Sequence, residues 1–128
     1  MCKVLIVDDD PDFIDVARTI LLSDGHEVLS ASNSREALAL ARQEKPHIIL
    51  LDIMLETALD GLDLSHEIRQ EPALRHTRVI MISSITDTPH TQLFPTDEYL
   101  PADTWLTKPV APHLLLETVR EYCHPDAA

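Results

Sequence analysis

The chain has 128 residues, of which 45% are hydrophobic, and this composition suits one globular domain rather than a disordered chain. Its formal net charge of -12 at pH 7 disfavours direct binding to nucleic acid or to an anionic membrane surface. The first residues lack the apolar stretch of a signal peptide, and no apolar run approaches the roughly 20 residues that a membrane span needs.

Five short segments of the sequence predict strands. In chain order they are KVLIV (3–7), EVLSA (27–31), HIILL (47–51), RVIMIS (78–83) and TWLT (104–107). The first, third and fourth segments are apolar almost throughout, as is typical of strands in a parallel sheet that helices cover on both faces.

Helical spacing of apolar residues follows the first strand, and the turn SDGH at 23–26 is predicted to end that helix. One of the three aspartates at 8–10 can cap this helix, but three exceed what a cap requires. Asn33, with Glu36 three residues later, resembles a capping box and predicts a second helix that runs to about Gln43.

Two further helices and one irregular connection are predicted in the second half of the chain. Asp60 is suited to cap a helix over 61–70, and Pro112 is suited to the first turn of a last helix. Between the last two strands, residues 86–104 contain three prolines, and Pro95 would break a helix there. We expect at most two helical turns in this connection, followed by irregular chain.

The alternation of strands and helices predicts an α/β domain with a parallel sheet between two layers of helices. In such a sheet, ligands bind outside the carboxyl ends of the strands. Charged and hydroxyl residues cluster at these predicted ends: Asp8, Asp9, Asp10, Asp52, Ser83, Ser84 and Lys108. Clustered carboxylates repel one another, and Mg2+ would remove that cost because it prefers oxygen ligands. An aspartate can also act as a nucleophile and form an aspartyl-phosphate.

The segments VLIVDDDPDF, IILLDIML, DGLDL, VIMISS and WLTKPV, in this order, resemble the receiver domain of bacterial two-component response regulators. The resemblance covers essentially the whole chain. It implies a doubly wound, flavodoxin-like sheet of five parallel strands in the order 2-1-3-4-5. We therefore expect residues 1–128 to form one receiver domain without an output domain. Two departures are Glu56, where the family usually has proline, and the proline-rich connection before the last strand.

By position, the resemblance assigns roles to the clustered residues. Asp52 would be the phosphoacceptor, Lys108 the phosphate-sensing lysine, and Ser83 the hydroxyl that switches. The implied magnesium ligands are Asp9 directly, Asp8 mainly through water, Asp52, and the backbone carbonyl of Met54. No metal role is assigned to Asp10.

Trp105 lies three residues before Lys108, at the aromatic switch position of the family. A lone tryptophan is as readily a packing residue, and both interpretations stay open at this point.

The resemblance implies a sensor histidine kinase or a histidine phosphotransfer protein as the phosphoryl donor, and an output protein that the sequence does not name. Two other functions compete with this hypothesis. A magnesium phosphohydrolase would usually carry a second acid two residues after its nucleophile, where Met54 stands. A receiver-like binding module that is never phosphorylated is the second alternative.

Cys2 and Cys123 lie near opposite ends of the chain and form no CxxC pair. They indicate no disulfide framework, and two isolated thiols are typical of a reducing cytosol. We therefore expect two free thiols and a cytoplasmic protein.

Overall fold

A computed structural model of the chain describes residues 2–52, 60–74, 76–84, 104–108 and 110–123, some of them through the backbone alone. Most of the connection predicted at 86–104 therefore lies outside the described residues, as does Met54. No helix within the described ranges has the length and the apolar character that crossing a membrane requires.

The described elements follow the predicted alternation of strands and helices. They are β1 (Lys3–Val7), α1 (Pro11–Ser23), β2 (Glu27–Ala31), α2 (Ser34–Glu44), β3 (Ile48–Asp52), α3 (Asp60–Gln70), a 3-10 turn (Pro72–Leu74), β4 (Arg78–Ser84), β5 (Thr104–Lys108) and α4 (Pro112–Tyr122). All strand pairs are parallel, in the order β2-β1-β3-β4-β5, so the predicted α/β fold is confirmed. Several bounds differ by one residue: β3 begins and ends one residue later than predicted, β4 and β5 each end one residue later, and Asp60 is the first residue of α3 and does not precede it.

Two apolar clusters sandwich the sheet, because side chains alternate between the two faces of a strand. Leu5 and Val7 of β1 belong to one cluster, which residues of α2 and α3 complete. Val4 and Ile6 belong to the other cluster, which residues of α1 and α4 complete. These four side chains of β1, like all five residues of β3, are buried. The two strands therefore form the centre of the molecule, and their carboxyl ends are fixed by packing on both faces.

Side-chain caps fix where the first two helices begin. Asp10 caps α1, since its Oδ1 accepts a hydrogen bond from the backbone N–H of Asp12 at 3.0 Å. Asn33 Oδ1 accepts from the N–H of Glu36 at 2.8 Å, and Glu36 Oε1 accepts from the N–H of Ser32 at 3.1 Å. The predicted cap at Asn33 is confirmed. The cap at Asp10 also holds the short loop between β1 and α1 in place.

The two cysteines form a disulfide, so the prediction of two free thiols is wrong. Cys2 and Cys123 are joined, with their Cα atoms 6.0 Å apart, although 121 positions separate them along the chain. The reason is topological: β5 ends at the carboxyl edge of the sheet, and α4 returns the chain to the opposite edge, where β1 begins. Sequence spacing carries no sign of a contact that only the assembled fold creates.

Polar contacts join the last turn of α4, close to Cys123, to the turn between α1 and β2. Nε and Nη2 of Arg120 donate hydrogen bonds to the two carboxylate oxygens of Asp24, at 2.9 and 2.6 Å. These hydrogen bonds hold the pKa of the Asp24 carboxyl below its ordinary value. Oδ2 of Asp24 lies 3.3 Å from Nε2 of His26, whose Nδ1 accepts a hydrogen bond from the backbone N–H of Cys2 at 3.0 Å. These contacts thus reach the backbone of Cys2, one of the two residues that the disulfide joins.

Reduction of the Cys2–Cys123 disulfide is expected to lower the melting temperature, because the reduced unfolded chain regains the entropy of a long open loop. In the chain-entropy account, a disulfide that closes a loop of this length stabilises the folded state by at most roughly 4 to 5 kcal/mol. The measurement is thermal unfolding with and without a reducing agent. The Cys2→Ala/Cys123→Ala variant is the control and should not respond to the reducing agent. Rapid alkylation of both cysteines in native protein kept without a reducing agent would contradict the disulfide.

Candidate metal centre

The carboxyl ends of three strands bring Asp8, Asp52 and Lys108 together. Asp8 directly follows β1, whereas Asp52 and Lys108 are the last residues of β3 and β5. The Lys108 Nζ atom lies 2.9 Å from Oδ2 of Asp8 and 3.6 Å from Oδ2 of Asp52. Two carboxylates and one ammonium therefore share a small space at the carboxyl edge of the sheet, where a parallel α/β sheet binds its ligands.

Asp8 is the most buried acid of this cluster, with 1% of its surface exposed. Its backbone N–H donates to the carbonyl of Ala31 at 3.1 Å, and its Oδ1 accepts from the N–H of Asp10 at 2.9 Å. Its Oδ2 is buried, and the Lys108 ammonium lies 2.9 Å away as its ion-pair partner. Burying a carboxylate oxygen is costly unless a cation compensates it. This oxygen is therefore oriented for a cation.

Asp8, Asp9 and Asp52 each offer a carboxylate oxygen, and these three oxygens lie within 4.8 Å of one another. Asp9 is exposed, whereas Asp8 and Asp52 are buried. A set of oxygen ligands without nitrogen or sulfur suits a hard divalent cation, and the open side at Asp9 suits an ion that keeps several waters, as Mg2+ does. Asp10 is absent from this set and caps α1.

Lys108 carries the positive charge of the pocket. Burial of its side chain works to lower the pKa of the ammonium, but contact with Asp8 and the charges of Asp52, Asp8 and Asp10 outweigh that effect. The pKa of Lys108 therefore lies above its ordinary value, and the side chain stays protonated at neutral pH. A permanent positive charge at this position balances part of the negative charge of the acids.

The structure describes Ser83 and Trp105 through the backbone only, because their side chains lie outside the described part. In the register of the sheet, Asp52 pairs with Ile82, so Ser83 lies one residue further toward the carboxyl edge. Trp105 lies in β5, three residues before Lys108. The switching roles of both residues stay predictions.

Phe13 is a residue of the site that sequence reasoning missed. Its position on the apolar face of α1 was the only signal, and it is typical of a core residue. The structure places the Lys108 Nζ atom 4.7 Å from the centroid of its ring, within the range of a cation–π contact. Sequence spacing could not predict this contact, since it joins the first turn of α1 to the end of β5.

A doubly wound sheet with an acidic pocket and a lysine at its carboxyl edge is the architecture of a receiver-type signalling domain. Residues 4–120 match the family described as "Response regulator receiver domain". The chain therefore belongs to the response regulator receiver domain family.

Individual relatives agree with this assignment. The chain is 33% identical over 119 residues to protein PilH of Pseudomonas aeruginosa. The aligned residues cover 93% of this chain and 95% of that protein. It is also 33% identical over 110 residues to the alkaline phosphatase synthesis transcriptional regulatory protein PhoP of Bacillus subtilis, covering 86% of this chain and 43% of the longer protein. The solved structure of the chemotaxis response regulator CheY4 of Vibrio cholerae has a TM-score of 0.83 and 28% identity, covering 96% of this chain and 99% of that one.

Magnesium is expected to stabilise the fold, because it binds the carboxylates only where the native state brings them together. At a free concentration of ten times Kd, such binding adds about 1.4 kcal/mol to the free energy of unfolding. The measurement is the melting temperature with and without millimolar magnesium. Asp9→Ala should respond much less than wild type, since it removes one ligand from an exposed position.

The matched control is Asp15→Asn, which removes one exposed negative charge from α1 away from the pocket. It should respond to magnesium as wild type does. An equal rise in melting temperature in all three proteins would show that the three carboxylates do not bind the ion.

Proposed function

We propose that the chain is the phosphoacceptor of a two-component phosphorelay and accepts a phosphoryl group on Asp52. The observation that carries the proposal is the position of the Asp52 carboxylate, 3.6 Å from the Lys108 ammonium and beside the acids that end β1. Phosphoryl transfer requires a nucleophile, a permanent cation and a set of metal ligands within one pocket.

Asp52 is the proposed nucleophile. Its side chain is 11% exposed at the end of β3, and packing fixes the strand behind it. One carboxylate oxygen attacks the phosphorus of a phosphohistidine, so that an oxygen–phosphorus bond forms as the phosphorus–nitrogen bond breaks. The imidazole leaves and takes up a proton, and an aspartyl-phosphate remains.

The neighbouring residues hold the group that is transferred. We propose that Lys108 moves its ammonium from the carboxylates to a phosphoryl oxygen, where it balances the added negative charge. Asp8, Asp9, Asp52 and the backbone carbonyl of Met54 would hold Mg2+. The ion, when bound, would supply further charge neutralisation on the phosphoryl oxygens.

Signalling would follow from a change in a pre-existing equilibrium between two conformations. We propose that the hydroxyl of Ser83 moves to the phosphoryl group and that Trp105 responds to this displacement. The partners would be a sensor histidine kinase or a histidine phosphotransfer protein, and an output protein that binds the phosphorylated form. The chain would catalyse no reaction beyond its own phosphorylation and dephosphorylation.

We place this function in the cytoplasm by analogy with the signalling role of the family. The cysteines no longer support that location, because they form a disulfide.

Asp52→Asn is expected to abolish phosphorylation, because an amide at this position cannot attack phosphorus. The measurement is intact mass after incubation with a small acyl phosphate and magnesium. Wild type should gain one phosphoryl group and the variant none. Asparagine has nearly the volume of aspartate, so the packing of β3 is kept. Equal labelling of both proteins would refute the assignment of Asp52.

A further inference from the structure

We propose that Phe13 is a positioning residue for Lys108, whose ring holds the ammonium at the pocket when a divalent cation occupies the carboxylates. This inference deepens the proposed function of Asp52 and rests on it. The observation is the contact between the Lys108 Nζ atom and the face of the Phe13 ring, at 4.7 Å from the centroid.

Both side chains of this contact are partly removed from water. The side chain of Lys108 is 24% exposed, so water covers only part of the ammonium and its stem. Phe13 is partly buried and packs against the apolar cluster between the sheet, α1 and α4. A cation–π contact is stronger where the partners are partly removed from water. The ring thus presents a fixed surface to a lysine whose four-carbon stem is otherwise flexible.

The two carboxylates that Lys108 contacts belong to residues that a metal ion would use. The ammonium contacts Oδ2 of Asp8 and Oδ2 of Asp52, and both residues belong to the set of acids that could hold a cation. A divalent cation at these carboxylates repels the ammonium and weakens its two ion pairs. The ring of Phe13 is neutral and is not a ligand, so its attraction for the ammonium survives metal binding.

The position of Phe13 is tied to the loop that carries the acids. Asp10 caps α1, and the helix begins at Pro11, two residues before Phe13. The same cap therefore sets the direction of the loop with Asp8 and the placement of the ring. The pocket gains a neutral contact that keeps Lys108 directed at Asp52 while the charges around it change.

The contact itself is tested by NMR, independently of any phosphorylation. The ε-CH2 protons of Lys108 should show an upfield ring-current shift in wild type, both without metal and with saturating magnesium. The shift should persist in Phe13→Tyr, which keeps the ring, and disappear in Phe13→Leu, which keeps an apolar side chain. Identical Lys108 resonances in wild type and Phe13→Leu would overturn the inference.

The functional consequence is tested by the rate of Asp52 labelling with a small acyl phosphate at saturating magnesium. Phe13→Leu should slow the reaction roughly three- to tenfold, as expected for a partly desolvated cation–π contact, and Phe13→Tyr should restore it. The magnesium affinity should change little, because Phe13 does not belong to the set of acids. A loss that Phe13→Tyr does not restore would overturn the positioning role.

A double-mutant cycle separates positioning from a general effect on packing. In a Lys108→Met background the ammonium is absent, so Phe13→Leu should cause no further loss of rate. An equal loss in both backgrounds would show a merely structural role. If wild type gains no phosphoryl group, the proposed function fails and the positioning role with it. Normal labelling with unchanged Lys108 resonances would overturn this inference alone.

Discussion

Two buried carboxylates end neighbouring strands at the centre of the sheet, and the ammonium of Lys108 compensates them. Asp8 and Asp52 lie at the ends of β1 and β3, which packing holds on both faces. Neither strand end can move away to relieve the repulsion between the acids. A positive charge must therefore reach them, and the 2.9 Å ion pair from Lys108 to Asp8 is the shortest such contact described in the pocket.

This constraint explains why the ends of the sheet differ. The carboxyl edge holds unlike charges in a small space, where Oδ2 of Asp8 is buried against the Lys108 ammonium. The opposite edge is closed by the disulfide between Cys2 and Cys123 and by the hydrogen bonds from Arg120 to Asp24. Rearrangement is therefore expected at the carboxyl edge, while covalent and polar contacts fix the other edge.

The sequence predicted what depends on local pattern. Apolar segments predicted the strands, and the rule that ligands bind at the carboxyl ends of parallel strands directed attention to Asp8, Asp52 and Lys108. Contacts that depend on the assembled fold escaped prediction. The Cys2–Cys123 disulfide requires α4 to return beside β1. The ring of Phe13 meets Lys108 only because α1 packs on the face of the sheet to which β5 contributes Leu106. Neither contact has a signature in sequence spacing.

The central claim of this account of the pocket is that Lys108 and a divalent cation compensate the same two carboxylates, Asp8 and Asp52. It is tested most directly by the magnesium dissociation constant of wild type and of Lys108→Gln, measured by calorimetry at constant ionic strength. Shared carboxylates predict that the variant binds magnesium several-fold more tightly, because no ammonium competes for Asp8 and Asp52. They also predict that the variant is less stable without the metal. Equal or weaker magnesium binding by a folded Lys108→Gln variant would contradict the claim.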